Sequence, residues 1–336
     1  MVNAVGVDAG TKSYEVFAII NGEFFAESFE SSLIKENPNL LLEAIESYEA
    51  DVYAGLSGYG MPIKKFSNLT NEEILLMTLN LDAEKSIGLR AVIEAIRRKN
   101  LNFYTIPGVI HLPTVPKWRK FNKIDLGTSD KLCSAVLAII QLSDEIEIEK
   151  QNFILAEVGY GFSSFIAVKN GKIVDGIGGT SGFMGYSSMG SIDAEVAYLA
   201  GSFPKRLIFT GGIKSFIEEH GGNPIELLGE FVLKGLRAVE VSIGKAELCF
   251  LSGKFARDLK NLVAEKYETR LLSGFGIGKQ SAQGAGVIAN AIGGGEFERI
   301  ARHVELFSAK GTVLDYLSPD LKRIILEKLN LYFRSN

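Results

Sequence analysis

The sequence is short of the residues on which several function classes rest. It has 2 cysteines, 3 histidines and 8 prolines in 336 residues. Cys133 and Cys249 lie in apolar helix-like and strand-like settings, so they read as buried free thiols rather than a disulfide. His111, His220 and His303 are too scattered to give a zinc-ligand spacing. The longest apolar run, Ala135–Ile140, is far below the roughly 20 residues that span a bilayer. The N-terminus enters a strand-like pattern with no basic leader, so no signal peptide is expected and the chain reads as soluble and cytoplasmic. Positive charge is also in deficit: 36 Lys and Arg stand against 40 Asp and Glu, for a net charge of −4 and a pI near 5.6. That balance argues against a nucleic-acid footprint. The densest basic run is Lys117, Arg119, Lys120 and Lys123, too short to coat a duplex; it reads either as a solvated loop face or as an anion-binding loop.

Glycine is in excess. Its 36 copies are about 11% of the chain, against a usual ~7%. Nine fall between Gly159 and Gly190 and eight between Gly274 and Gly295. There is no Gly-X-Y period and little proline, which excludes collagen and low-complexity linker. Apolar residues at 46% and charged residues at 23% are ordinary globular proportions, and 336 residues suggest two domains.

The chain carries a duplicated hairpin. Val5–Gly10 reads as a buried strand ending in an acid-x-glycine turn, Asp8-Ala9-Gly10. A second strand, Tyr14–Ile20, an Asn21-Gly22 hairpin signal and a third strand, Glu23–Phe29, follow. A shift of 149 residues repeats the pattern without a gap over 22 residues: Ile154–Gly159, Phe162–Val168, Asn170-Gly171 and Lys172–Val174. Gly10/Gly159, Ala18/Ala167, Asn21/Asn170 and Gly22/Gly171 are identical, and Asp8/Glu157 keeps the charge. Glycine removes the Cβ, so successive N–H groups can converge on an anion. A carboxylate at the strand end can hold Mg²⁺ beside phosphate and water. Two such turns would clamp a nucleotide's phosphates from both sides; the plainer alternative is that Asp8 and Glu157 cap tight turns.

Two strand-turn-strand clamps in tandem resemble the superfamily of sugar kinases, acetate and butyrate kinases, actin and heat-shock chaperones. The match to its first phosphate motif is Val7-Asp8-Ala9-Gly10-Thr11-Lys12-Ser13, and to its second Glu157-Val158-Gly159-Tyr160-Gly161-Phe162-Ser163. Its adenosine motif is best matched by Leu248–Lys254, ending in Ser252, Gly253 and Lys254, although Lys254 stands where the family has a second glycine. Thr210-Gly211-Gly212 is an earlier decoy or a substrate-side element. Chain order favours the later motif: an amphipathic helix over Ile225–Gly244 precedes it, and a helix (Phe255–Tyr267), a strand (Thr269–Ser273) and a small-residue helix (Ser281–Ile292) follow. Leu126–Leu132, opening the apolar helix to Leu142, resembles the step that supplies the catalytic carboxylate in the third type of pantothenate kinase. Asp130 equally suits a first-turn acid favoured by the helix dipole. The tract Gly171–Asp193 and the turn Gly55–Pro62 are similar to loops of acetate and butyrate kinases, and the whole chain resembles an archaeal family of predicted butyrate kinases.

The resemblance implies an α/β fold of duplicated actin-like ATPase (ribonuclease H-like) domains, with mixed sheets, flanking helices and a nucleotide cleft between them. The expected division is 1–145 and 146–296, with C-terminal helices over 297–336, broken near Leu317-Ser318-Pro319, packing on the first domain. ATP and Mg²⁺ are the expected cofactors, with Asp8 as metal ligand. Gly10, Thr11, Lys12, Ser13, Gly159, Tyr160, Gly161, Ser163, Ser252, Gly253 and Lys254 would bind the nucleotide. The expected activity is phosphotransfer to a small molecule. A carboxylate acceptor is ionised at pH 7 and needs cations rather than a base; His111, Lys117, Arg119 and Lys120 are the candidates, although His111 also reads as a structural loop residue. A hydroxyl acceptor would want a base such as Asp130, and a non-kinase ATPase of the same fold is the third reading. Asp8, Asp130, Glu157 and Arg119 are the catalytic candidates, and Ser57, Gly58, His111, Lys117, Gly179 and Asp193 the substrate-binding ones. The expected partner is a small-molecule substrate, without nucleic acid or membrane, and a homodimer is left open.

Overall fold

The computed structural model describes residues 1–81 and 87–335. Strands β1 (Ala4–Ala9), β2 (Ser13–Ile20), β3 (Glu23–Glu30), β4 (Val52–Gly55) and β5 (Phe103–Tyr104) form one five-stranded sheet in the order β3-β2-β1-β4-β5. Strands β6 (Asn152–Val158), β7 (Ser163–Lys169), β8 (Lys172–Ile177), β9 (Leu248–Ser252) and β10 (Glu268–Leu271) form the second, in the order β10-β9-β6-β7-β8. In both, the first strand pairs antiparallel with the second and parallel with the fourth. The two sheets are one design used twice.

The duplication holds at the level of single bonds. Asp8 pairs with Glu15 across β1–β2, and Glu157 with Ser164 across β6–β7, each pair displaced by the 149 residues of the sequence repeat. Asn21 and Gly22 have φ of 51° and 86°, and Asn170 and Gly171 have 53° and 68°, the left-handed pair that a two-residue hairpin turn requires. Asn21 N–H donates to Asn3 Oδ1 at 2.8 Å and Asn170 N–H to Asn152 Oδ1 at 3.1 Å. Both bonds tie the hairpin tip to the residue preceding or opening the first strand.

Alternation along each first strand sorts residues to two faces. Val5 and Val7 pack outward on Leu41, Ile45, Val92 and Ile96 of the helices Asn39–Ser47 and Ile87–Lys99. Ile154, Ala156 and Val158 pack outward on Leu228, Val232, Leu236 and Val239 of the helix Pro224–Glu240. This is the helix foreseen over Ile225–Gly244; Asn223 caps it by accepting from Ile225 N–H at 3.0 Å. The residues before Thr210-Gly211-Gly212 lie in a 3₁₀ helix, Lys205–Phe209, preceded by Pro204. The tail helices are Glu298–His303 and Pro319–Ser335, separated near Leu317-Ser318-Pro319; Asn336 is outside the described residues. The tail touches both halves: Lys172 pairs with Glu305 at 2.6 Å, and Asn122 N–H donates to Tyr316 at 2.9 Å.

Between the inner faces of the sheets lie two helices, Ser129–Ser143 and Gln280–Ile292. The second meets its neighbours through bare backbone. A Cβ at Gly6 of β1 would fall 2.0 Å from Gly286 N, and one at Gly284 would fall 2.1 Å from the Cys133 carbonyl oxygen. Three elements therefore stack with no side chain between them at these points. Their ends converge: Asp8 at the end of β1, Asp130 and Lys131 at the start of one helix, Lys279 before the start of the other.

A methyl group has no room in this contact, and overpacking costs about 1–3 kcal/mol or more. Gly6→Ala is expected to lower the unfolding free energy by about 3 kcal/mol in urea titration. A variant as stable as the parent would contradict the contact.

Candidate functional site

Each first strand ends in a turn closed the same way. Gly10 N–H donates to the Ser13 carbonyl at 3.0 Å, and Gly159 N–H to the Phe162 carbonyl at 3.0 Å. Each glycine amide thus closes its own turn. The next residues, Thr11 and Lys12 in one turn and Tyr160 and Gly161 in the other, line a common cleft of about 850 Å³ between the halves. Main-chain N–H groups of such a turn can converge on an anion. The glycine- and serine-rich loop supports the second turn: Ser188 Oγ donates to the Gly161 carbonyl at 2.8 Å, and a Cβ on Gly185 would meet that oxygen at 2.2 Å.

The turns touch across the cleft. The Lys12 ammonium lies 3.9 Å from the Tyr160 ring centroid, and the Lys254 ammonium 4.9 Å from the same ring, both in cation–π range. One aromatic ring thus joins the first turn, the second turn and the segment after β9.

The cleft reverses the sign of the chain. Among the described residues, Lys12, Lys35, Arg90, Lys131, Lys205, Arg206, Lys254 and Lys279 line it, against Asp8, Asp125, Asp130 and Glu157. In a protein of net charge −4, this concentrates positive potential in a low-dielectric groove, which attracts anions.

Lys131 organises the acids. Its Nζ is 2.7 Å from Asp130 Oδ2 and 2.7 Å from Glu157 Oε2, joining the two halves across the cleft floor. Burial opposes its charge, but the two carboxylates outweigh burial and hold its pKa above that of an ordinary lysine. Burial likewise pushes the Asp130 pKa up; Lys131 and the Thr128 hydroxyl, which donates to Asp130 Oδ1, more than offset this and hold it below the usual carboxylate range. Glu157 shares Lys131 but has no such hydroxyl, and burial wins: its pKa is raised. Asp8 is raised too, by burial and by the charge of Asp130, against Lys279 and Lys131.

Asp8 suits a cation. It is only 7% exposed, and the nearest ammonium, Lys279 Nζ, stands 3.5 Å from Oδ2, beyond the range of roughly 2.7–2.9 Å for a strong charge-assisted bond. A buried carboxylate so weakly neutralised fits Mg²⁺, which takes one or two carboxylates with phosphate and water. Among the described residues no group of three or more His, Cys, Asp or Glu is gathered as a metal cage, so phosphate and water oxygens would supply most of the shell.

Most of the residues singled out in the sequence meet here. Asp8, Gly10, Thr11, Lys12, Ser13, Ser57, Gly58, Asp130, Glu157, Gly159, Tyr160, Gly161, Gly179, Ser252, Gly253 and Lys254 all line the cleft. Two of them also serve the frame: Ser57 Oγ donates to the Gly55 carbonyl at 2.7 Å and accepts from Ile106 N–H at 2.8 Å, and the Gly58 carbonyl receives Ser129 N–H at 3.0 Å. Ser163 is placed behind the second turn, its hydroxyl buried without a hydrogen-bond partner among the described residues.

Arg119, His111, Lys117 and Asp193 are not part of the lining. Arg119 Nη1 donates to the Val174 carbonyl at 2.7 Å and its Nε lies 3.7 Å from Asp175, fastening the basic loop to β8. His111 is 1% exposed, its Nδ1 accepts from Gly108 N–H at 3.1 Å, and burial brings its pKa down to about 4, so it is neutral at pH 7. Lys117 is exposed at the start of a four-residue helix. Asp193 caps the helix Ala194–Ala200, accepting from Glu195 N–H at 2.9 Å. The decoy Gly212 packs on Gly185 and Ser187 behind the second turn. Sequence reasoning assigned no role to Lys279, Lys205, Arg206, Arg90 or Lys35. Only Lys279 had a local signal, a lone basic residue between Gly278 and the small-residue helix.

A family model described as "Protein of unknown function (DUF1464)" matches residues 6–319, and the chain belongs to that family. No curated protein matches it by sequence. Its fold is similar to that of Entamoeba histolytica acetate kinase, at 14% identity with a TM-score of 0.53, covering 78% of this chain and 84% of the other. It is also similar to Porphyromonas gingivalis acetate kinase, at 12% identity with a TM-score of 0.53, covering 87% of this chain and 100% of the other. Together with the paired sheets, these show a duplicated α/β domain of the actin-like ATPase fold; at such identity the likeness is one of fold. Among the described residues no helix is long and apolar enough to cross a membrane.

Removing one partner of a buried ionic group leaves the other charges uncompensated, at about 3–5 kcal/mol. Lys131→Met is expected to lose about 3 kcal/mol of stability at pH 7 in urea titration. Lys131 holds the folded-state pKa of Asp130 below its unfolded value, so this contribution is fully present above the unfolded value and is lost as pH falls through the folded one. The loss should therefore shrink below about pH 4, near the unfolded Asp and Glu values. A loss that is unchanged by acid would contradict the ionic account.

Proposed function

We propose that this member of the DUF1464 family is an ATP-dependent small-molecule kinase. The acceptor we favour is the carboxylate of a short-chain acid, converted to an acyl phosphate in the manner of acetate and butyrate kinases. The observation that carries the reading is the pair of equivalent glycine turns meeting in one basic cleft. Such a cleft suits a polyphosphate better than a neutral ligand, because backbone amides and lysines both favour negative charge.

Phosphoryl transfer asks for positioning and charge neutralisation more than for covalent participation by the protein. Asp8 would hold Mg²⁺, which when bound neutralises phosphate charge. The amides of Thr11, Lys12, Tyr160 and Gly161 would orient the phosphates, and the Ser252–Lys254 segment, which lines the same cleft, would receive the adenosine end. The contact of Lys12 and Lys254 with Tyr160 draws the rims together and helps keep water from the reacting centre.

The state of Asp130 bears on the acceptor. Both of its oxygens are engaged, one by Thr128 and one by Lys131, and its pKa is held down. A carboxylate stabilised in its ionised form is a weak proton acceptor, so the site is poorly matched to a hydroxyl that must be deprotonated. An acid that arrives ionised needs no base; it needs positive charge, which the basic lining of the cleft supplies.

Incubation with ATP, Mg²⁺ and linear acids from two to six carbons, with hydroxylamine to trap acyl phosphate, is expected to give hydroxamate with at least one acid. Asp8→Asn should lower that rate by roughly a hundredfold or more, as loss of metal-assisted charge stabilisation does. No hydroxamate from any of these acids would overturn the carboxylate assignment.

A further inference from the structure

We propose that Lys279 is a phosphate-binding cation resident in the first glycine turn, and that its ammonium and a divalent ion are alternative neutralisers of Asp8. The inference rests on the nucleotide-binding reading above and extends it to a residue outside both phosphate motifs.

The ammonium is built into the turn. Lys279 Nζ donates to the Ser13 carbonyl at 2.8 Å, the same oxygen that receives the closing bond from Gly10. A Cβ added at Gly10 would lie 2.8 Å from Nζ, so the absence of a side chain there makes room for the charge. The main chain that carries it is held from two sides. Lys279 N–H donates to the carboxylate of Glu15, which is 5% exposed and pairs with Asp8 across β1–β2. Gln283 is fully buried; its Nε2 donates to the Ile277 carbonyl at 2.7 Å and the Gly278 carbonyl at 3.1 Å, and its Oε1 accepts from Phe275 N–H at 2.7 Å. A buried glutamine satisfying three backbone groups fixes the approach to the lysine at considerable desolvation risk if any were lost.

The side chain itself is less constrained than its backbone. The approach to Asp8 is 3.5 Å, looser than the bond to Ser13, and the side chain is 34% exposed on the cleft side. An ammonium has three donors, and two directions are accounted for by Ser13 and Asp8. The cleft supplies the third. A compact point charge on a flexible stem is suited to following a phosphate. Without a divalent ion, Lys279 partly balances Asp8 and offers the remaining donor to an incoming phosphate. With an ion held by Asp8, the ammonium would leave the carboxylate, keep its bond to Ser13 and turn its other donors to phosphate. Lys279 and the ion therefore oppose each other at Asp8, and both assist at phosphate.

The test is calorimetric titration of the full chain with ATP, in EDTA and across a Mg²⁺ series, for the parent, Lys279→Met and Lys279→Arg, with thermal unfolding of each. Loss of one charge-assisted contact predicts roughly tenfold weaker metal-free ATP binding by Lys279→Met. The same variant should reach half-saturation at lower Mg²⁺ than the parent, because the competitor at Asp8 is gone. Lys279→Arg, which keeps the charge, should bind metal-free ATP within about threefold of the parent. Metal-free affinity unchanged in Lys279→Met overturns the proposal. So does an equal loss with and without Mg²⁺ accompanied by a lower melting temperature in both variants, since that pattern marks a lysine that only braces the turn. A parent protein that binds no ATP under either condition overturns the nucleotide reading itself and this assignment with it.

Discussion

The molecule depends on a layer with nothing in it. Where the helix Gln280–Ile292 crosses β1 on one side and the helix Ser129–Ser143 on the other, glycine at 6 and 284 lets backbone meet backbone, and Gly286 leaves room for the Phe17 ring. A single methyl at Gly6 would separate elements whose ends carry Asp8, Asp130, Lys131 and Lys279. The spacing of those groups is thus set by the thickness of an interface rather than by loops. This explains why a cleft between two halves can be defined as firmly as a pocket within one.

Onto that frame the chain places charges in an order that burial alone would forbid. Asp8, Asp130 and Glu157 are taken largely from water, and each would repel the others. Lys131 bridges two of them, and Lys279 attends the third at longer range. The result is graded: Asp130, with a lysine and a hydroxyl, is the most firmly ionised, while Asp8 and Glu157 are left short of compensation. Around them the walls are basic although the chain is acidic, so the net field favours an anionic ligand whose own charge completes the balance. Deficient neutralisation at Asp8 and surplus positive charge in the walls are complementary, and a metal–polyphosphate pair would answer both.

Much of this was legible in the sequence, for a physical reason. The hairpins are local: alternation, Asn-Gly turns with left-handed φ and strand-end acids are written in contiguous residues, so the repeat, its hairpin strands and both turns could be read directly. Lys254 shares the cleft with the turns because its strand, β9, lies beside β6. The cations were read less well. His111, Lys117 and Arg119 form a basic stretch in sequence, yet one is buried and neutral, one is exposed, and one is bonded to β8. Lys279 was passed over for the converse reason. It lies 271 residues from Asp8, and only the glycine layer brings them together. Strand patterns announce themselves within ten residues, whereas the sign and position of a charge in a cleft are properties of the assembled fold.

The central claim is that the two glycine turns act as one phosphate clamp. Its most direct measurement is a crystal structure with a non-hydrolysable ATP analogue and Mg²⁺. The account predicts phosphate oxygens within hydrogen-bond distance of the main-chain amides of both the Thr11–Lys12 and Tyr160–Gly161 segments, with the metal on Asp8. A nucleotide bound through one turn only, or with its phosphates away from both, would contradict it.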